Sequence, residues 1–418
     1  MSQRFGRGLA RTALLILLAP GLAQAAGFQT LEQGTWDMGR AMVGFASAAD
    51  SAATSFYNAA GMTHLDGLQV TGGLMGILGQ SEFDPDSGTD IPGSDGGNAL
   101  PNVVTPGGLF GVYPINDEWA VGASFTAPFV GSLDYRDSWA GRYFIQEFDL
   151  TAYRLAPAVA YQVNDWLSLG ASFGVIYSKI DLKLAVPTSG VDGQVKLEDA
   201  DDWEVTWGLS AMLDLREGTR LGLIYSSEVE QDDMSGRLKV SLPGPVPGFS
   251  TGLDLGITYP QIVAASLRQE VGDDLVVFAD FAWADFSEFS TIKLDISSGP
   301  AVDLDAHFRD TISYGIAAEY QFAPLWTLLA GISYASSPVS NSNRSVALPL
   351  DRQVRYGLGL RHEWREDVTL GLSYQYLDLG DAKVSNTLGG GLRAGETVSG
   401  DYDPSHVHYI AFTINKSF

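Results

Sequence analysis

From about residue 66 to its last residue the chain alternates with a period of two, in runs too long for a soluble sheet. Over 368–377 one parity reads Val368, Leu370, Leu372, Tyr374 and Tyr376, and the other Thr369, Gly371, Ser373, Gln375 and Leu377. The final run repeats this, with Ile410, Phe412, Ile414 and Phe418 against Tyr409, Ala411, Thr413, Asn415 and Ser417. One oily face at period two describes either a sandwich, whose apolar face is a protein core, or a barrel, whose apolar face meets lipid. Length separates the two. The runs 148–163, 166–186, 201–216, 252–270 and 275–295 far exceed the roughly five or six residues usual in soluble strands. Strands that cross a bilayer at a tilt and continue beyond it need such lengths. No stretch after residue 25 holds about 18 consecutive apolar residues, so helical spans are excluded.

Two classes of turn alternate along these runs. Short ones fall at Asn116-Asp117-Glu118, Asn164-Asp165, Glu217-Gly218-Thr219, Gly272-Asp273-Asp274, Ala323-Pro324-Leu325 and Arg365-Glu366-Asp367; longer ones fall at about 83–102, 131–147, 187–200, 242–251, 296–303, 337–350 and 386–398. Short periplasmic turns and longer external loops are the asymmetry of outer-membrane barrels. Counting between them gives fourteen strands from near Gly67 to Phe418, an even number as that class requires. The expected fold is all-β, a 14-stranded antiparallel transmembrane β-barrel. Tyr113, Trp119, Tyr161, Trp166, Tyr225, Trp326, Tyr334, Trp364 and Tyr374 recur beside the turns, where amphipathic rings favour the membrane interfaces.

The N-terminus follows other rules. Arg4, Arg7 and Arg11 flank an apolar run from Ala13 to Ala19, followed by Ala23-Gln24-Ala25. That is the layout of a cleaved secretory signal, and the run is too short to span a bilayer. Residues 1–25 are read as the signal, 26–65 as an N-terminal hatch inside the lumen, and 66–418 as the barrel. The hatch stretch is rich in Gly, Ala and Ser and lacks the alternation; a loose periplasmic tail is the alternative. The inward parity of the strands, as in Ala156, Ala158, Ala160 and Ser168, Gly170, Ser172, Gly174, leaves room that a barrel of this width needs filled.

Removing three arginines takes the formal charge from −25 to about −28, the opposite of the basic footprint of a nucleic-acid binder. With no cysteine, thiolate metal sites and cysteine nucleophiles are excluded. Among the histidines His406 and His408 share a strand face, but metal ligation needs further ligands. Ser405-His406 is a bare dipeptide without the converging partners that a hydrolase needs. Asp84, Asp86, Asp90 and Asp95 lack the calcium-loop pattern. No metal, no cofactor and no enzyme activity are expected.

Three prolines sit inside strands: Pro128 in the third, Pro157 in the fourth and Pro260 in the eighth. Proline gives no N–H to a ladder and is confined within sheets to edges, strand starts and bulges. In a closed barrel each marks a bulge or a local gap, unless the third strand simply ends at Ala127.

Along the mature chain stand Ala26-Gly27-Phe28-Gln29, Met38-Gly39-Arg40-Ala41, Asn58-Ala59-Ala60, Ile115-Asn116-Asp117, Val121-Gly122-Ala123-Ser124, Tyr225-Ser226-Ser227-Glu228-Val229, Tyr259-Pro260, Trp283-Ala284-Asp285-Phe286 and the stretch 337–353. In that order they resemble the FadL-type outer-membrane transporters, which take up long-chain fatty acids, and their TodX-like relatives for hydrocarbons, with Ala59 where the family has the proline of Asn-Pro-Ala. The resemblance implies passive uptake of long-chain fatty acids or similar hydrophobic molecules across the bacterial outer membrane. Ligand would pass from external loops to an apolar lumen pocket, then sideways through a gap by a kinked third strand. It implies ligand-binding or gating roles for Phe28, Asn58, Ala59, Ala60, Pro128 and Phe129. Asn58-Ala59-Ala60 is expected to face the Pro128 region. Leu184 and Leu304 fall where basic partners of a carboxylate would be sought, with Lys183, Lys293, Arg309 and Arg344 as substitutes by proximity. Leucines there equally suit monoaromatic or alkane hydrocarbons. The expected partners are the hydrophobic ligand, outer-membrane lipid and lipopolysaccharide, and the barrel-assembly machinery through the C-terminal Phe418 strand. An open porin, an outer-membrane enzyme and an adhesin are the competing readings.

Overall fold

The computed structural model describes residues 29–244, 247–297 and 301–418; Phe28 and the expected signal lie outside them. Among the described residues nineteen strand segments form one sheet closed on itself, and because five passes are interrupted they make fourteen crossings of the wall. These are β1 (Gln69–Pro85), β2 (Asn102–Pro114), β3 (Trp119–Asp134), β4 (Glu147–Asn164), β5 (Leu167–Val186) and β6 (Gly193–Arg216). The interrupted β7 (Thr219–Ser226, Val229–Ser241), β8 (Phe249–Tyr259, Ile262–Val271), β9 (Leu275–Ala284, Thr291–Ile296) and β10 (Val302–Asp305, Thr311–Ala323) follow. β11 (Trp326–Ala335), β12 (Gln353–Arg365), β13 (Val368–Asp378, Val384–Thr387) and β14 (Thr397–Ser417) complete the circuit. β1 pairs antiparallel with β14 from Gln69↔Ser417 to Pro85↔Gly400, which closes the barrel.

Some expected boundaries are corrected. Residues 193–200, expected within a loop, belong to β6, because Val195 and Leu197 turn into the lumen while charged Lys196 and Glu198 alternate with them. The runs 252–270 and 275–295, expected as continuous strands, are broken at Pro260 and at 285–290, where the chain makes a 3-10 turn over Glu288–Ser290. Pro260 has no N–H to donate to the ladder. β3 does not end at Ala127; it runs on to Asp134 through a bulge between Thr126 and Phe129.

Outward side chains make the lipid belt. Leu74, Leu109, Leu155, Leu209, Ile316, Leu358, Leu372 and Phe412 are exposed, whereas their strand neighbours Ser373, Gln375, Ala411 and Thr413 are buried. Around one rim, rings pair across strands with centroids 4.9 to 6.2 Å apart: Phe125 with Tyr153, Tyr177 with Trp203, Trp207 with Tyr225, Tyr314 with Tyr334 and Tyr356 with Tyr376. Trp119 on Tyr161 and Trp326 on His362 do the same beside the short turns.

The lumen has two tiers. Near the short turns the inward residues are small, as expected. Toward the long loops they become bulky and apolar, as in Ile176, Ile180, Leu182 and Leu184 of β5, Leu253 and Leu255 of β8, and Ile292 and Leu294 of β9, all buried in one cluster with Phe83, Trp139, Phe144 and Tyr402. The expectation of small inward residues therefore holds for half the wall.

Residues 29–65 lie inside the lower tier, almost wholly buried. They form a 3-10 turn over Trp36–Arg40, one helical turn over Thr54–Tyr57 and a second 3-10 turn over Ala59–His64. Ala41 and Met42 take the left-handed region, with φ of 53° and 63°, which breaks any longer helix. Small residues on both sides allow close approach. Gly331 meets the Arg40 carbonyl, Gly170 the amide of Ala60 and Gly39 the backbone of Gly359, while a Cβ built on Gly222 would lie 1.8 Å from the Ala46 oxygen. Gly222→Leu is therefore expected to unseat the plug from a barrel that still assembles. The check is a steady ion conductance in planar bilayers together with a normal heat-modifiable gel shift.

Candidate functional site: a lumenal cavity beside a gap in the wall

The β2–β3 ladder stops halfway up the wall. It runs from Pro114↔Ala120 to Leu109↔Phe125. Beyond that, residues 102–106 of β2 pair only with β1, and residues 126–134 of β3 only with β4. Unpaired backbone groups in a membrane wall cost several kcal/mol each, and at the lower end of the break the plug supplies partners. The Thr30 amide donates to the Pro128 carbonyl (2.8 Å) and Gln29 bridges Phe129. The Gln33 side chain both donates to and accepts from Ala127 (3.1 Å each), while the Gly108 amide donates to the Gln33 carbonyl (2.8 Å). One amide side chain thus acts as a strand residue across the break.

Behind this gap a cavity opens between plug and wall. Phe45, Phe56, Tyr57, Asn58 and Ala59 line it from the plug, with Pro128, Phe129, Arg154, Ser172, Ile176, Thr206, Tyr259, Pro260 and Phe286 from the barrel. Phe129, thrown inward by the bulge, stacks on Tyr259 with centroids 4.0 Å apart and planes 9° apart. Tyr259 directly precedes the Pro260 break, and its hydroxyl donates to Ser178 (3.1 Å). Two proline-associated irregularities therefore meet across the lumen, where both rings join the apolar upper cluster.

Arg154 was not singled out from the sequence. It interrupts the small inward face Ala152, Ala156, Ala158, Ala160 of β4, a signal that could have found it. Its guanidinium is buried, donates to Ser172 (3.3 Å) and lies 5.8 Å from the Phe56 ring centre. Among the described residues no carboxylate pairs with it. Thr126, its cross-strand partner, and nearby Ser124 each bury a hydroxyl without a partner. A buried charge lacking a counter-ion is costly, so this corner suits an anionic or hydrogen-bonding group.

The other expected site residues are placed differently. Asn58 donates to the carbonyls of Ala46 (2.7 Å) and Ala211 (3.2 Å), and Ala60 donates to Ser210 (3.0 Å). That turn grips β6, while Thr30 and Gln33 make the bonds to the Pro128 region; Asn58 and Ala59 share only the cavity with it. Where the family has proline, the Asn58 side chain holds the turn by accepting from the Ala60 amide (3.0 Å). Leu184 is buried in the upper cluster, outside the cavity lining, and Leu304 pairs in register with Ile292. Lys183 is tied to Asp137 and Glu147, Lys293 to Asp232, and exposed Arg309 donates to the Ser337 carbonyl. Buried Arg344 binds Asp351, Asn341 and the Leu350 carbonyl. None of these four cations lines the cavity.

The plug is held by buried ion networks. Arg40 bonds Asp37, Asp50 (3.4 Å) and Glu319 of β10 (2.6 Å), and Arg361 of β12 bonds Asp50 and Glu319 in turn (2.9 and 2.8 Å). Glu32 accepts from Arg355 (2.8 Å) and Gln375 (2.7 Å). Burial pushes the Glu32 carboxyl up, but Arg355 and these hydrogen bonds outweigh it and hold the group below its ordinary value. Ser47 meets Ser266 (2.8 Å), and the Gly44 amide donates to Asp280 (2.8 Å).

Comparison with known proteins fits this geometry. Residues 16–418 match the family described as outer membrane protein transport protein (OMPP1/FadL/TodX). Outer membrane protein P1 of Haemophilus influenzae is 28% identical over 418 residues, covering 90% of each chain. The long-chain fatty acid transport protein of Escherichia coli (strain K12) is 25% identical, over 92% of this chain and 95% of that one. Among solved structures, a Pseudomonas aeruginosa FadL homologue superposes with a TM-score of 0.80 at 19% identity, covering 94% of this chain and all of its own. The P. putida toluene transporter TodX gives 0.66 at 19% identity, over 88% and 94%.

Removing one member of a buried ion network leaves the others uncompensated, at a cost of about 3–5 kcal/mol. Arg40→Met is therefore expected to loosen the plug without opening the wall. A cysteine placed at buried Ala53 of the cysteine-free chain should then react faster with maleimide than in the Arg40 parent.

Proposed function

The chain belongs to the OMPP1/FadL/TodX family of outer membrane transport proteins, and from that premise we propose that it takes hydrophobic small molecules, long-chain fatty acids above all, across the bacterial outer membrane by binding and release without covalent chemistry. The observation that carries the fatty-acid reading is Arg154, a buried cation without a carboxylate partner at the edge of a largely apolar cavity. A carboxylate seated there would accept from Arg154 and Thr126, compensating a charge the fold otherwise leaves bare. Each methylene buried contributes about 0.8 kcal/mol, so an acyl chain among Phe45, Phe56, Phe129, Ile176 and Tyr259 binds without an energy source.

Release runs sideways. Residues 26–65 act as a hatch whose Thr30 and Gln33 occupy the β2–β3 gap, and withdrawing them leaves Pro128 and Phe129 on the lip of an opening toward lipid. The signal at 1–25 delivers the chain to the periplasm, the C-terminal Phe418 strand is the handle for barrel assembly, and the outer rim lies among lipopolysaccharide. A hydrocarbon cargo is the second reading, favoured by the absence of Lys183, Lys293, Arg309 and Arg344 from the cavity lining.

Arg154→Leu separates the two. Losing a charge-assisted hydrogen bond of about 1.5–3 kcal/mol should weaken oleate binding by roughly tenfold or more and leave toluene uptake intact. Equal oleate affinity in the variant would discard the carboxylate role. Pro128→Val and Gln33→Ala act at the gap and should change export rate from the cavity more than affinity; stopped-flow release of a fluorescent fatty acid into lipid vesicles reads this directly.

A further inference from the structure

Among the other places where the ladder lapses, one lies between β6 and β7. Their ladder holds from Arg216↔Thr219 to Gly208↔Ser226 and resumes at Asp201↔Ser235. Between these pairs the strands meet only where the Ser227 amide donates to the Trp207 carbonyl (2.9 Å) and the Trp207 amide to the Ser227 hydroxyl (3.1 Å). Residues 202–206 of β6 keep their partners on β5, and Val229 to Gln231 keep theirs on β8, so each strand is anchored on its far side. β7 carries two more residues than β6 across the interval, so the strands lose register there. Five unpaired residues at about 3.3 Å each make a slot roughly 16 Å long.

The β6 edge is capped from within its own strand. The Trp203 amide donates to the Asp202 carboxylate (2.7 Å) and the Val205 amide to Glu204 (3.3 Å). These are N–H groups a neighbouring strand would otherwise take. Outside, Trp203, Val205 and Trp207 are exposed among the rim aromatics, at the depth such rings favour. Inside, Thr206, Ser227 and Val229 border the slot and line the same cavity as Arg154. The lips carry Asp202 and Glu204 on β6 and Glu228 and Glu230 on β7. Asp232 and Asp233 extend the β7 lip; Lys293 is engaged there by Asp232, and Lys179 by Asp181 and Asp199. Gln231, wholly buried beside the slot, donates to Ser178 (3.0 Å) and leaves its own carbonyl oxygen without a partner.

We propose that this slot is a second side portal, through which apolar molecules ending in a hydrogen-bond donor (alcohols, phenols or alkylammonium ions) pass between the outer leaflet and the cavity. The portal rests on the uptake reading above. Its lips offer acceptors and negative charge, the reverse of the Arg154 corner, so a carboxylate is repelled while a hydroxyl or ammonium group finds the free Gln231 oxygen. The two breaks then differ in the head group they admit.

The test uses the full chain in cells lacking other transporters of the family, with labelled dodecan-1-ol and dodecanoate as matched probes. Because the chain has no cysteine, Val205→Cys with Glu230→Cys gives two outward thiols across the slot for a short bis-maleimide. Bridging is expected to lower dodecan-1-ol uptake by about tenfold, the lower end of the range by which a charged cleft raises on-rates, and to spare dodecanoate. The same bridge between Leu213→Cys and Leu221→Cys, a paired register below the slot, should change neither. Unchanged dodecan-1-ol uptake after bridging, or an equal loss of both probes, overturns the portal. Failure of the unmodified chain to import either probe above background overturns the uptake reading itself, and the portal with it.

Discussion

In hydrocarbon every backbone N–H and C=O must find a partner within the protein, and this chain meets that demand by closing a sheet from Gln69↔Ser417 upward. The rest of the structure depends on that closure. Its length, its even strand number and its outward leucines all follow from having no edge and no water along the wall. The same rule makes each place where the ladder lapses informative, because something else must satisfy the freed groups. At β2–β3 that is the plug, through Thr30 and Gln33. At β6–β7 it is the carboxylates of Asp202 and Glu204.

The plug is correspondingly more than packing. A filler held only by apolar contact would be hard to move and hard to place in register. Here glycines on the wall bring backbones to touching distance, and the Arg40, Asp50, Glu319 and Arg361 network fixes orientation. Buried ion pairs give little net stability against an apolar alternative, yet they tolerate only one geometry. Over the gap the plug meets β3 through hydrogen bonds at Thr30 and Gln33, while Glu32 between them is ion-paired to Arg355 of β12, so the contacts at the lip itself are the weaker ones.

Much of this was legible in the sequence, for physical reasons. Alternation is imposed by lipid on one side and the lumen on the other, so Leu372 beside Ser373 reads correctly without any tertiary knowledge. Pro128 and Pro260 announced broken ladders because proline has no N–H. The upper tier was misread because the polarity inverts there: Leu182, Leu253 and Leu294 face an apolar chamber, while their neighbours Lys183, Asp254 and Lys293 are polar, so the small inward parity of the lower wall does not carry upward. Arg154 was legible in principle, as a charge amid alanines, although the positions expected to meet a carboxylate were Leu184 and Leu304. Gln33 left no local trace, since an amide that replaces a strand residue is defined by partners ninety or more positions away.

The two breaks stand at opposite electrostatic poles of one cavity. A wall without gaps would trap a ligand that the apolar lining binds well, since each added methylene deepens the well. A gap on one side only would favour whichever head group its lip prefers. With a cation and free hydroxyls near β2–β3, and acceptors with negative charge at β6–β7, the cavity's apolar body serves either kind of amphiphile. Selection then falls to the rims, where a head group is stripped of water and the lip's charge decides whether that cost is repaid.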